Sequence, residues 1–251
     1  MKYKVASTLS EVLDAWCVVY KQYLAASLIG PNEFSIFTFP EYLSNSTAVI
    51  LGSKMNHTVC TVSAVLDSKK GLPLDSYYRN ELNQLRKENK KLIEIGLLAD
   101  VRESNSFMNI VDLMAGIARF GVFSDHHDYV IGVHPRRINF FRQTFGFETI
   151  GEVKDYSKLR TAPVILMYAC GKDLETVSLK VNTEIYADPK EFDFEERYKF
   201  NPHNYISVSE FSNSVENFLR RIWTNGSPAM GQNSLQMLKW ASLNSQHNFI
   251  F

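Results

Sequence analysis

LIEIGLLAD, Leu92 to Asp100, decides the fold class. Seven of its nine residues are apolar or glycine, it is too short for an independent helix, and it is rich in branched aliphatics, so it reads as a strand covered on both faces. Strict alternation would put Ile93, Ile95, Leu97 and Ala99 on one face and Leu92, Glu94, Gly96 and Leu98 on the other. Glu94 then stands among apolar neighbours, and Gly96, on its face, leaves a gap through which a ligand could approach the backbone. A carboxylate desolvated there would have a raised pKa, suited to a general base. The competing reading is a solvated Glu on a half-exposed strand.

Working outward, a strand covered on both faces needs helices on either side. Towards the N-terminus, Tyr3 to Ala6 reads as a strand, and Thr8 with Glu11 has capping-box spacing ahead of a helix with Val12, Trp16, Val19, Tyr20 and Tyr23 on one face. Thr47 to Gly52 and Thr58 to Leu66 suit an antiparallel hairpin, and Asp75 to Asn89 a helix with a polar face. On the other side, a helix from Ser106 to Phe120 turns Phe107, Val111, Met114, Ala115 and Ala118 inward, and Gly121 is placed to end it. Tyr129 to Val133 is a further strand that Pro135 stops; a short helix through Phe140 and Phe141 follows, then Gly146, and PVILMYAC is a late strand. The expectation is an α/β fold, a mixed sheet with interspersed helices, over residues 1–171. Residues 172–251 form a C-terminal extension of unassigned role, expected to pack on the first domain, with helices near Phe211 to Trp223 and Ser234 to Ser242.

The 251 residues carry 27 Lys and Arg against 27 Asp and Glu, so no global field draws the chain to nucleic acid or an anionic membrane. No stretch is apolar enough to span a bilayer, which leaves only transient membrane contact open, and the N-terminus lacks an export signal. Cys17, Cys60 and Cys170 lie far apart in apolar stretches, as reduced core thiols of a cytoplasmic protein would. In DYVIGVHP, Gly132 shares a face with Val130 and His134, and His134 could shuttle a proton, orient a substrate carboxylate, or be structural. Arg136, Arg137 and Arg142 concentrate positive charge on one short helix, as an acidic carrier domain or a phosphate would require; solvated surface is the alternative. Asp125, His126, His127 and Asp128 are adjacent on a loop and have no distant partner set, so no metal is expected. No GxSxG elbow or Walker-type loop is present.

Four stretches, AWCVVYKQYL, GLPLDSYYRNELNQLR, KLIEIGLLADVR and VIGVHPRRINFFRQTFGFETIG with its closing PVILMYAC, occur in an order that resembles the long-chain N-acyl amino acid synthases of the GNAT superfamily, relatives of the acyl-homoserine lactone synthases. The resemblance implies a GNAT-like fold whose two splayed parallel strands, here Leu92 to Ala99 and Tyr129 to His134, hold an acyl-phosphopantetheine arm as an added strand. It implies Glu94 and His134 as catalytic groups. Backbone amides of Leu97, Leu98 and Ala99 would meet the thioester oxygen, with Arg102, Gly132 and Phe141 also lining the substrate and Arg136, Arg137 and Arg142 meeting the carrier. No tightly bound cofactor is implied: the donor is acyl carrier protein or acyl-CoA, and the acceptor an amino acid or other small amine. VRESNSFMNI lacks a glycine-rich pyrophosphate loop, which favours the carrier-protein donor. Phe141 stands where related sequences often show Tyr, so a phenolic acid is missing there. Rival expectations are an autoinducer synthase using S-adenosylmethionine, a small-molecule N-acetyltransferase using acetyl-CoA, and a non-catalytic carrier or lipid-binding relative.

Overall fold

A computed structural model describes residues 1–6, 8–32, 35–43, 46–101, 106–171, 174 and 198–199. The helix-start signal at Thr8 is realised: its hydroxyl accepts from the Glu11 N–H, 3.3 Å, and α1 runs Leu9–Ala25. Strands β1 (Lys2–Val5), β2 (Thr47–Lys54) and β3 (His57–Leu66) are antiparallel neighbours, β2 and β3 forming the expected hairpin. After α2 (Asp75–Lys87) comes β4 (Leu92–Asp100), then α3 (Ser106–Phe123), β5 (Asp128–Val133) and α4 (Ile138–Phe145). Short β6 (Glu148–Thr149) and β7 (Lys154–Tyr156) lead to β8 (Ala162–Cys170), and β9 (Tyr198–Lys199) lies far along the chain. The sheet order is β6-β8-β5-β4-β3-β2-β1-β9, with β7 also on β8. Most pairs are antiparallel; β4 and β5 are parallel, as the αβ crossover through α3 requires.

Each face of the sheet is covered by its own apolar layer. One joins Leu92, Leu97, Ala99, Val130 and Leu166 to Trp16 and Val19 of α1 and Tyr78 and Leu82 of α2. The other joins Ile93, Ile95, Ile131 and Met167 to Val111, Met114 and Ile117 of α3 and Phe141 and Phe145 of α4. The helices that the sequence pattern requires on both faces of β4 are therefore present.

Three local readings are corrected. Gly121 does not end α3, which continues to Phe123; a side chain there would stand 2.0 Å from the Tyr129 hydroxyl, which donates to the Ala118 carbonyl at 3.2 Å. Glycine at 121 thus serves close packing of β5 against the helix. Phe107 is 46% exposed rather than inward, because it lies at the helix start, where its ring meets the edge of Phe140. The third concerns β4. Thr61 pairs with Ala99 and Ser63 with Gly96, so Leu97 and Leu98 together oppose Val62 alone: this is a β-bulge, with Leu97 at φ 49°. One extra residue reverses the alternation beyond it, so Leu97 and Ala99 join Leu92 on Glu94's face, and Leu98 packs on the opposite layer.

The expected helices at Phe211 to Trp223 and Ser234 to Ser242 lie outside the described residues. Of the extension, β9 is seen beside β1 in parallel register, Tyr3 with Tyr198 and Lys4 with Lys199.

Candidate active site

Glu94 is 2% exposed. Its Oε2 accepts from the Leu74 main-chain N–H at 2.8 Å, and its Oε1 from the Tyr42 hydroxyl at 3.3 Å. Burial pushes its carboxyl up to about 8; the Leu74 N–H, the positive charge of Lys158 and the Tyr42 hydroxyl pull down against that, and the negative charge of Glu41 adds to it. Sequence alternation correctly placed this side chain among apolar neighbours, and the solvated alternative is excluded by its burial.

Both donors to Glu94 are held by their own surroundings. Leu74 closes the loop that leads into α2. There Arg86 bridges Asp67 and Asp75, at 2.6 and 2.7 Å, while Asp75 also accepts from the Leu72 N–H at 2.6 Å. This bridge fixes where the Leu74 N–H points. Gly71, at φ 80°, supplies the turn that brings Asp75 against the loop. Tyr42 belongs to a single helical turn, Pro40–Leu43, inside a cluster of rings: Phe39 lies 6.1 Å from both Tyr42 and Tyr156, and Tyr77 4.6 Å from Tyr156. Lys158 pairs with Glu41 and lies 5.4 Å from the Phe39 ring centre. Glu41 Oε2 is buried with no hydrogen-bond partner among the described residues.

The gaps left by the two glycines are filled from within the protein. A Cβ on Gly96 would stand 1.8 Å from the Tyr42 oxygen, and one on Gly132 would stand 3.0 Å from Val164 and 3.1 Å from Leu74. Leu74 thus reaches Glu94 with its main chain and Gly132 with its side chain, linking β4 to β5. Their parallel pairing runs from Leu92 with Asp128 to Ile95 with Ile131 and goes no further, while β4 continues to Asp100. The strands part where the bulge begins, one residue past Glu94's partner Val130.

Of the sequence-derived candidates, Glu94, Gly96, Leu97, Ala99 and Gly132 come together on this face; Leu98 is half-buried on the other. Phe141 also lies in the opposite layer, its ring 5.2 to 6.0 Å from Phe140, Phe145 and Phe147. His134 is exposed, and its Nδ1 accepts from the Arg136 N–H at 3.2 Å, capping the turn Pro135–Arg137. Arg136, Arg137 and Arg142 are exposed, Arg142 lying 3.4 Å from Glu148. Arg102 lies outside the described residues. Within the Asp125 to Asp128 run, Asp125 pairs with Lys91 and lies 3.5 Å from His127 Nε2, His126 meets the Ser124 carbonyl, and Asp128 accepts from Tyr168 at 2.6 Å. Sequence reading missed Tyr42 and Leu74, whose contacts with Glu94 span 52 and 20 positions. The only local signals were the aromatic density of FTFPEYL and the proline in GLPLD.

The model of the N-acyl amino acid synthase FeeM family matches residues 14–170. Among solved structures, FeeM, an N-acyl amino acid synthase from uncultured soil microbes, is similar at TM-score 0.60 and 22% identity, over 70% of this chain and 98% of that one. The CoA-dependent acyl-homoserine lactone synthase BjaI, solved with SAM and isopentyl-CoA, gives 0.56 at 11% identity, covering 75% and 90%. TofI, in a ternary complex with an inhibitor and MTA, gives 0.54 at 10%, covering 72% and 97%. At these identities the three share the GNAT-like acyltransferase fold. No curated protein sequence matches. Because the family match spans most of the chain, the chain is an acyltransferase and belongs to the N-acyl amino acid synthase FeeM family.

Proposed function

We propose that the chain moves an acyl group from an acyl carrier protein thioester to the amine of an amino acid, giving an N-acyl amino acid. The observation that carries this reading is the position of Glu94, a buried carboxyl of raised pKa at the point where β4 and β5 separate. Between the parting strands, the β5-facing edge of residues 96–99 has no strand beside it among the described residues, so it can hold an extended pantetheine arm by main-chain bonds. The amides of Leu97 to Ala99, turned by the bulge, would receive the developing oxyanion. Attack requires a neutral nitrogen; Glu94, once ionised, accepts its proton as the C–N bond forms and the thiolate leaves. Glu41 pairs with Lys158 through one oxygen, and its other, buried oxygen has no partner among the described residues, which gives an incoming ammonium a reason to dwell near this carboxyl.

Exposed Arg136 and Arg137 offer positive charge at the end of β5, where an acidic carrier would present its arm. His134, beside them, is assigned to carrier or acceptor contact. The reading places the reaction in the cytoplasm, where acylated carriers are made; among the described residues no helix is long and apolar enough to cross a membrane.

Mass spectrometry of products tests this. Purified protein is given acylated carrier protein or acyl-CoA with mixed amino acids, beside Glu94→Gln. An N-acyl amino acid formed from the carrier donor and lost in the variant is the expected result. A lactone made from S-adenosylmethionine would favour an autoinducer synthase, and intact thioesters with carrier bound would replace catalysis by a binding role.

A further inference from the structure

Breaking the thioester C–S bond leaves an electron pair on sulfur. A thiol in water has a pKa near about 8.5. In a dry site the thiolate is worse off, as Cys60 shows, its thiol pushed far up by burial. A proton delivered to sulfur as it departs would therefore matter, and Phe141 has none to give and faces the other side of the sheet.

A phenol is nonetheless present on Glu94's side. The Tyr42 hydroxyl lies 3.3 Å from Glu94 Oε1 and occupies the space over Gly96, directly where the β4–β5 pairing has ended. Any side chain at 96 would exclude it. We propose that Tyr42 is a second catalytic residue, which protonates the departing sulfur and is reprotonated by Glu94. This rests on the acyl-transfer reading above.

The steps balance. The amine nitrogen bonds to the thioester carbon, and its proton passes to the Glu94 carboxylate. The tetrahedral adduct collapses, the C–S bond breaks with its electron pair on sulfur, and the Tyr42 O–H proton moves to that sulfur. The proton on Glu94 crosses to the phenolic oxygen, restoring both groups. The products are an amide and a thiol, with no further reactant. Burial and the nearby Glu94 hold the phenol well above its ordinary pKa, so it enters each cycle protonated.

A purely positioning role for Tyr42 makes a different prediction about the leaving group. Relative kcat/KM is measured for wild type, Tyr42→Phe and Glu94→Gln with an acyl-pantetheine thioester and with the thiophenyl ester of the same acyl group, whose thiolate leaves without help. Tyr42→Phe is expected to lose about 10²-fold or more with the alkyl thioester and less than about tenfold with the aryl one. Glu94→Gln is expected to be slow with both, because the amine proton has no acceptor. Equal losses of Tyr42→Phe with the two donors overturn the relay alone; a Glu94→Gln rate equal to wild type overturns the relay and the base assignment together. Should Tyr42→Phe not fold, a series of thioesters with wild type decides: a shallow dependence of rate on thiol acidity supports protonation at departure, and a steep one overturns it.

Discussion

Glu94 holds its proton in the folded chain up to about pH 8, whereas in the unfolded chain it would lose it near 4.5. Between those values folding takes up a proton, so this group's contribution is fully present below pH 4.5 and is lost as pH rises through 8. Glu94→Gln has no such proton to lose. Its stability relative to wild type is expected to climb between those limits, by about 3–5 kcal/mol in all, and then level; urea denaturation of both proteins at pH 4.5, 6.5 and 8.5 measures it. Activity runs the other way. In the proposed role as base Glu94 must be ionised, so kcat/KM of wild type is expected to rise with pH and flatten above about 8, where burial has moved its titration. At Gly96 the issue is space: a methyl would meet the Tyr42 oxygen at 1.8 Å and its ring at 2.8 Å. Gly96→Ala is expected to cost about 2–3 kcal/mol and most of the activity, and Tyr42→Phe combined with it to cost less than the sum, a coupling that a double-mutant cycle reads by denaturation. Glu94 and Gly96 were legible because strand alternation is a local property. Tyr42 and Leu74 were not, since nothing within a few residues of either records that it will meet position 94.

The element that decides most is the loop from Asp67 to Asp75. Its Arg86 bridge is mostly shielded, with the guanidinium 26% exposed and the two carboxylates 14% and 13%. Arg86→Ala strands both acids and frees the Leu74 N–H. A loss of about 2–3 kcal/mol is expected, together with a further rise in the pH at which kcat/KM levels, because Glu94 loses a donor to its charged form; denaturation and a pH–rate profile check the two parts. Element types along residues 1–171 were readable because their periods of 2 and 3.6 are strong. The bulge was not: LIEIGLLAD alternates acceptably with or without it, and only the count of residues facing β3 shows that Leu97 is extra. Gly121 misled for a related reason, since glycine favours helix ends and close contacts alike, and only Tyr129 tells which.

At the scale of the whole molecule, both apolar layers are built from residues up to Leu174, which is itself fully buried in the α3-side layer. A chain ending at residue 176 is therefore expected to unfold cooperatively, as thermal denaturation would show. Losing β9 would bare the outer edge of β1, so that shortened chain is expected to associate at lower concentration than the full one, seen by light scattering. The sequence assigned residues 172–251 no chemistry, and beyond β9 and Leu174 they lie outside the described residues. Phe141 illustrates the other limit on sequence reading: its place in a motif was visible, but which side of the sheet it would serve depended on how α4 settles against α3.

The extra residue in β4 has a consequence for heredity. Removing Leu97 would leave Gly96 followed by Leu98 opposite Val62, an unbroken ladder with Glu94 untouched. Such a chain would keep the carboxylate, the glycine and the flanking motifs and yet have healed the kink that parts the strands. Loss of acyl transfer could thus arrive as a three-nucleotide deletion that spares the Glu94 and Tyr42 side chains and takes only Leu97 and its amide, and it would be recognised by counting the residues from Glu94 to Asp100 rather than by reading their identities.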